Sequence, residues 1–430
     1  MSRITIKEQE RVRFNSFDAT ENVVLVPLMT TDSSEASDTT LPILYESLRD
    51  FTNQVRKAPA TSEASDAEVD NSYYFICELL NQGLKVLVKR WLFDGSGADS
   101  IESQLTSAIR GQEATSETAA VDGIFSDFVD KNLYNIKFIT AGAYAQANYD
   151  TRAILVDIAF TRGDCLAVLD LPTGWTPADI LSSAESIIST YGNKYMYSTI
   201  VWPSCYFNLS GFATSNTEVE ILKNIEMPAS LAYLAAFGSS VQVNADWFAV
   251  SGVIRGSIPD MVKPKFEVGE RLMHILQGDE PVISGGEYLG VRINPIMDAG
   301  VYGYRIWGNR TASSLSVNDA QSLRFRDFLN VRILLCDIKK QIYHAAMRNT
   351  FEPNDDITWV NFKKICNTLL DQMQSGRGIS WYSWRKVETE QRATIKAVLT
   401  IKPIEAVEYF DITINLTDEE VNFEEEAETI

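Results

Sequence analysis

The stretch Arg162-Gly163-Asp164-Cys165-Leu166-Ala167-Val168-Leu169-Asp170-Leu171-Pro172 decides the fold class. Cys165 to Leu171 is a short, mostly aliphatic run between a glycine and a proline, which reads as a strand. Thr176 then caps a helix that has Pro177 at its first position and runs to Ser189, and Thr199 to Trp202 is the next strand. Strand, helix, strand is α/β grammar.

The same rhythm extends toward the N-terminus. Val23 to Met29 is a short apolar strand, and Leu41 to Val55 reads as a helix with Leu44, Leu48 and Phe51 or Val55 on one face. Tyr73 to Leu80 is a second helix that Gly83 stops, Leu84 to Trp91 is a strand, 136–140 another, and 150–160 a helix. The polar stretches 31–40, 57–71 and 111–123 read as flexible acidic surface loops. Ser-Glu-Ala-Ser-Asp occurs at 34–38 and again at 62–66, which is one pair of copies and not a solenoid repeat.

Toward the C-terminus the texture changes. Gly290 to Thr311 is rich in Gly and Asn and turns repeatedly. Leu323 to Arg348 reads as a long amphipathic helix with Phe325, Phe328, Leu335, Ile338 and Ile342 on one face, broken at Phe351-Glu352-Pro353-Asn354. A second helix, Thr358 to Gln374, turns Phe362, Cys366, Leu369, Leu370 and Met373 inward and Lys363 and Lys364 outward, and ends at Gly376 and Gly378. Arg392 to Leu416 is β, since Ile395, Ala397, Leu399 and Ile401 alternate, as do Phe410, Ile412, Ile414 and Leu416.

At 430 residues the chain has room for two to three domains of about 150 residues each. The net charge of -20 argues against nucleic acid, which demands a basic surface. Half of that charge lies between Glu405 and Ile430, which hold ten acidic residues and no Lys or Arg. Residues 1–14 run the other way, with Arg3, Lys7, Arg11 and Arg13 against Glu8 and Glu10. No window is apolar enough for a signal peptide or a membrane span, so synthesis and folding in the cytoplasm are expected, without direct membrane insertion.

Catalysis has little to stand on. There are two histidines, His274 and His344, and no GxSxG, GxxxxGK[ST], HExxH or glycine-rich dinucleotide fingerprint. Carboxylates are so abundant that a pair such as Asp157 and Asp164 is expected by chance. Five scattered cysteines, Cys77, Cys165, Cys205, Cys336 and Cys366, read as buried free thiols and not as disulfides or zinc ligands. No catalytic, cofactor or metal residue is therefore expected.

Several segments together resemble the contractile tail sheath proteins of phages, R-type tailocins and related injection systems. Arg162 to Pro172 followed by Tyr197-Ser198-Thr199-Ile200-Val201-Trp202-Pro203 is similar to the family's central segment. Met227-Pro228-Ala229-Ser230, Leu231 to Gly238 and Trp247 to Ile258 resemble the next, although the usual lysine-alanine-proline is absent. The strongest likeness is Gly300-Val301, Ile306-Trp307-Gly308-Asn309-Arg310-Thr311, Phe328-Leu329-Asn330-Val331-Arg332, Phe351-Glu352-Pro353-Asn354 and Trp359, in order from about residue 20 to 417.

The resemblance implies an α/β fold: a subtilisin-like α/β domain lacking catalytic residues over 21–290, then a C-terminal α+β sheath domain over 291–403 that faces an inner tube. Extended β arms flank them, 1–20 and 404–430, the latter ending in an acidic tail. Strand exchange between subunits would involve Ile4, Ile6, Val12 and Phe14 of one arm and Phe410, Ile412, Ile414 and Leu416 of the other. Lone strands at 4–14 and 408–417 leave backbone groups that need a partner, and head-to-tail contacts that do not close build helices. Lys363, Lys364 and Arg377 are the expected tube contacts. The implied partners are further copies of the chain, the inner tube protein, and baseplate and tail terminator proteins, in a virion tail or extracellular contractile particle. The alternatives are another tail or baseplate component, or a hydrolase on the subtilisin-like scaffold.

Overall fold

The computed structural model describes residues 21–30, 41–55, 66–93, 101–112, 121–143, 149–180, 182–183, 193–277, 282–284, 287–289, 292–313, 325–388, 394–404 and 406. Eight strands build the central sheet: β1 (Val23–Thr30), β2 (Ile43–Tyr45), β3 (Lys85–Leu92), β4 (Phe138–Ile139), β5 (Leu166–Asp170), β6 (Ser198–Trp202), β7 (Asn294–Asp298) and β8 (Tyr304–Ile306). Their spatial order is β8-β7-β6-β5-β4-β1-β3-β2. The pairs from β3 through β1, β4, β5 and β6 to β7 are parallel, and the edge strands β2 and β8 are antiparallel.

A parallel strand covered on both faces is largely apolar, and β1, β5 and β6 are buried at every position, with the polar Asp170, Ser198 and Thr199 hydrogen-bonded. The pleat divides those side chains between two cores. Val23 and Leu25 enter one, with Phe125, Phe128, Leu155 and Ala159. Val24 and Val26 enter the other, with Phe75, Ile76, Tyr233 and Phe237. The covering helices are α1 (Asp66–Asn81), α2 (Tyr149–Arg162) and α3 (Ala229–Val241). Residues Cys205–Phe207, Ile225–Met227 and Met261–Pro264 form a separate three-stranded antiparallel sheet.

A further layer follows: helices α4 (Leu329–Arg348) and α5 (Asp356–Ser375), then a hairpin of β9 (Ile379–Val387) and β10 (Lys396–Pro403). Its own small core holds Leu334, Ile338, Leu369, Leu370, Met373 and Ile379. The Asp355 carboxylate caps α5 by accepting the Thr358 N–H at 2.9 Å.

Several expected elements change. Leu41 to Val55 is not one helix: Ile43–Tyr45 joins the sheet edge, and a helix begins only at Leu48, because Ser47 takes a β conformation and its hydroxyl accepts the Asp50 N–H. α1 starts at Asp66, inside a stretch expected to be loop. Gly83 does end it, in the left-handed region at φ 78°. α4 starts at Leu329, and Phe325 is an exposed residue of a preceding 3-10 turn. The expected single apolar face is also incomplete: Leu335 and Ile342 are half-buried while Arg332, Asp337 and Lys340 are buried. A helix wedged between two layers buries more than one stripe. Residues 292–311 turn as expected but also carry β7 and β8, which pair with the central sheet from beyond the expected division at 290. The helix from Pro177 is described to Ile180 and at 182–183, with Thr176 and Asp179 capping reciprocally; 181 and 184–192 lie outside the described residues.

Candidate assembly surface

Two of the segments that carried the strongest family likeness, Ile306 to Thr311 and Phe328 to Arg332, meet in space. Asn309 and Asn330 lock the loop after β8 to the first turn of α4: Asn309 Nδ2 donates to Asn330 Oδ1 at 2.8 Å and the Asn330 N–H donates to Asn309 Oδ1 at 3.0 Å. The Arg310 guanidinium lies 5.1 Å from the Phe328 ring centre, and the two residues form an isolated β-bridge. Asn294 ties this joint to the sheet by accepting the Arg310 N–H and donating to Thr199 Oγ1, at 2.8 and 2.7 Å. The earlier segments meet likewise, since the Asp170 carboxylate at the end of β5 accepts the Ser230 N–H in the first turn of α3 at 2.7 Å. Burial raises the Asp170 carboxyl to about 7 against that hydrogen bond.

Ions complete the junction. Lys137, before β4, is buried and pairs with Asp246 and, at 3.1 Å, with Asp337 of α4. Burial raises Asp337 to about 7 although Lys137 pulls the other way. Burial lowers the Lys137 pKa, but the two carboxylates outweigh it and hold the ammonium charged. Lys340 donates to the Ile136 carbonyl at 2.8 Å. Trp247 reaches α5 from the body: its indole N–H donates to the Gly376 carbonyl at 3.0 Å. A Cβ at Gly376 or Gly378 would stand 2.7 or 2.8 Å from the indole, so these glycines serve close approach as well as helix termination.

The last described element pair in the chain is the hairpin. β9 and β10 pair with each other and, among the described residues, with no other strand, so each leaves an edge of unpaired backbone groups. Along β10 Ala397, Leu399, Ile401 and Pro403 are half-buried, while Lys396, Val398, Thr400 and Lys402 are exposed. Trp384 seats the hairpin on α5, 6.0 Å from the Trp359 ring and 5.7 Å from Phe362, with its N–H donated to Asn367. Arg385 and Lys386 add to the exposed lysines of β10, so the hairpin is basic in an acidic chain. β9 was missed in the sequence, although Tyr382 and Trp384, two positions apart and both packed against the layer's core, offered a signal.

Of the expected tube contacts, Lys364 and Arg377 are exposed and Lys363 is half-buried, its ammonium 5.5 Å from the Trp359 ring centre. Arg377 sits between the two glycines at φ 62°. Ile4, Ile6, Val12, Phe14, Phe410, Ile412, Ile414 and Leu416 lie outside the described residues. The five cysteines are buried free thiols, as expected, and burial pushes the Cys165 thiol up to about 12. Asp157 pairs with Lys194 and Asp164 with Arg162, so these two acids face different cations. His344 is half-buried, and burial lowers its pKa. Among the described residues no three potential ligands group as a metal site, and no helix is long and apolar enough to cross a membrane.

No family model matches the chain. Over 209 residues, 47% of the chain, it is 25% identical to the tail sheath protein of Vibrio phage KVP40, covering 28% of that protein. Over 315 residues, 69% of the chain, it is 21% identical to the tail sheath protein of Enterobacteria phage T4, covering 44% of it. By sequence, the chain is similar to tail sheath proteins. It spans less than half the length of these curated relatives. The fold agrees. A sheath complex of the extracellular contractile injection system PVC, in the contracted state, superposes with a TM-score of 0.62 at 15% identity, over 97% of this chain and 98% of that one. A chain of the anti-feeding prophage baseplate gives 0.61 at 13% identity, over 97% and 99%. The mixed α/β architecture, parallel inside and antiparallel at its edges, is thus that of sheath structures.

Proposed function

We propose that the chain is a structural subunit of a contractile tail sheath, polymerising helically around an inner tube and contracting to drive that tube through a cell envelope. The observation that carries this reading is the β9–β10 hairpin. It is anchored to a rigid helical layer by aromatic packing, yet offers two strand edges with no partner among the described residues. Arms from neighbouring copies would add to those edges, each contributing several backbone hydrogen bonds of about 0.5–1.5 kcal/mol. The acidic arm with Phe410, Ile412, Ile414 and Leu416 suits the basic hairpin, and Ile4, Ile6, Val12 and Phe14 would supply the other strand.

On this reading the body over 21–290 is subtilisin-like without catalytic residues, and the domain over 291–403 faces the tube through Lys363, Lys364 and Arg377. Baseplate and terminator proteins would close the ends, in a virion tail or extracellular particle, with no enzyme activity, nucleic acid or membrane insertion involved. Contraction is rigid-body movement of subunits to a lower-energy lattice while the strand links persist.

Deleting 1–14, or 404–430, is the test. Wild-type protein should form tubes by negative-stain microscopy, and each deletion should give a folded monomer with near-normal melting. Deletions that still polymerise overturn the strand exchange, and a full chain that stays monomeric in every salt and concentration overturns the sheath reading. The second reading is a baseplate component, and one ring per tail in place of a stack would select it.

A further inference from the structure

A cleft on the helical layer carries positive charge in a chain whose net charge is -20. It encloses about 410 Å³ between α4, the end of α2 and the loop before β4, and is lined by Lys131, Arg162, Asp164, Lys339, Lys340 and Tyr343. Asp164 is the acid among these six, and it is engaged by Arg162 at 2.9 Å. Lys340 turns inward to the Ile136 carbonyl. Two ammonium groups remain. Lys131 Nζ lies 4.5 Å from the Tyr343 ring centre, and Lys339 Nζ donates to the Gly163 carbonyl at 3.2 Å and to the Tyr197 hydroxyl. Neither forms a salt bridge with a carboxylate of the described residues, so rings, a hydroxyl and a carbonyl orient both charges without neutralising them.

We propose that this cleft is the docking site of the chain's own acidic tail, the segment holding Asp418, Glu419, Glu420, Glu424, Glu425, Glu426 and Glu428. The charges are complementary: that segment contains no Lys or Arg, and the cleft is cationic. Reach is sufficient. The Ile404 N–H donates to the Gly378 carbonyl, and a Cβ on Gly378 would touch Leu334 of α4. Leu334 and Tyr343 are nine residues apart on that helix, about 14 Å. The twelve residues from 406 to 418 span up to about 40 Å when extended. The carboxylates stay hydrated at the cleft mouth, so their burial is not required, and the contact is screened by salt.

The experiment is zero-length carbodiimide crosslinking of the full chain, read by mass spectrometry, on an equal mixture of ordinary and nitrogen-15-labelled protein. Lys131 and Lys339 should crosslink to Glu419–Glu428, with the yield falling at least about tenfold in roughly 0.5 M salt, where the Debye length is well under 10 Å. K131E together with K339E should suppress these products by a similar factor. K131Q, at a site that supports no element, should reduce them by about half and leave the circular dichroism unchanged. Mixed-isotope products place the tail on a second copy, as strand exchange requires; single-isotope products keep this inference while counting against that exchange. A tail that crosslinks only to Lys386, Lys396 or Lys402, or not at all, overturns it. So does protection of Lys131 and Lys339 by tripolyphosphate without any tail product, which would assign the cleft to phosphate.

Discussion

The sheet body and the helical layer that follows it are held by different physics. In the body, Val23 and Leu25 point into one core and Val24 and Val26 into the other, and the contacts are apolar and non-directional. Between body and layer, Leu329, Ile333 and Cys336 of α4 enter the body's cores, but directional contacts are added to them: the Asn309–Asn330 pair, the Lys137 trio, Lys340 on a carbonyl and Trp247 on Gly376. An apolar seam tolerates sliding, whereas a seam of buried polar partners has one register in which every group is satisfied. The polar seam therefore fixes the register of the helical layer on the sheet, which is what the proposed rigid-body movement of a sheath subunit would require.

Lys137→Met strikes the comparison hardest. It leaves Asp246 and Asp337 buried without their cation, and one-sided removal of a buried pair costs about 3–5 kcal/mol. Urea unfolding should show that loss. The triple change Lys137→Met, Asp246→Leu and Asp337→Leu should recover most of it, because an apolar trio of similar volume is about neutral. A triple variant as unstable as the single would mean that the ions are not the cause.

Much of this contrast was legible in the sequence, and the illegible part has a pattern. The strands of the body announced themselves because burial on both faces forces continuous apolar runs, as from Cys165 to Leu171. The family segments were also visible, but their meaning was not. Asn309 and Asn330 look like ordinary polar residues until the fold shows that they bond to each other across 21 positions, with the Arg310 N–H donated to Asn294 beside them. The split at Ser47 was hidden because the apolar spacing from Leu44 to Phe51 suits a helix, and only the cap conformation at Ser47 separates strand from helix. β9 escaped because aromatic residues stand on both its faces, Trp381 exposed and Tyr382 and Trp384 against the layer's core, and its register shifts between Ile379 and Trp381, which blurs a period of two. Lys131 and Lys339 carry no sequence signal, since their closeness depends on how α4 packs beside the end of α2.

A smaller effect separates the body by pH. Glu78 of α1 is buried, accepts a hydrogen bond from Gln82 at 2.8 Å, and is raised by burial to about 7, with Asp260 adding to the rise. Its folded pKa lies above the unfolded value, so the folded state binds the extra proton. Stability from this group is complete below about pH 4.5 and falls as pH climbs toward 7. Asp170 acts in the same direction. Glu78→Gln keeps the shape without the charge and should stabilise the chain at pH 8 by on the order of 1–3 kcal/mol, with little change at pH 4.5. Melting curves at the two pH values check this, and an equal shift at both would show that ionisation is not involved.

The gentlest perturbation concerns the far side of the helical layer, at Lys363 and Lys364. Lys364 is exposed, and Lys363 rests its charge on the Trp359 ring at 5.5 Å, where a cation contributes roughly 0.5–1 kcal/mol. Neither takes part in the polar seam, so reversing both to Glu should leave unfolding within about 1 kcal/mol of wild type and leave tubes of the chain alone intact. If this face meets an acidic tube, each contact is worth about 0–1 kcal/mol and is screened by salt, a weakness that suits a surface that must let go during contraction. Co-assembly with purified tube should therefore fall for the reversed pair at low salt and converge with wild type at high salt. Equal co-assembly at every salt concentration would remove these lysines from the tube interface, while loss of the tubes formed by the chain alone would place them between subunits.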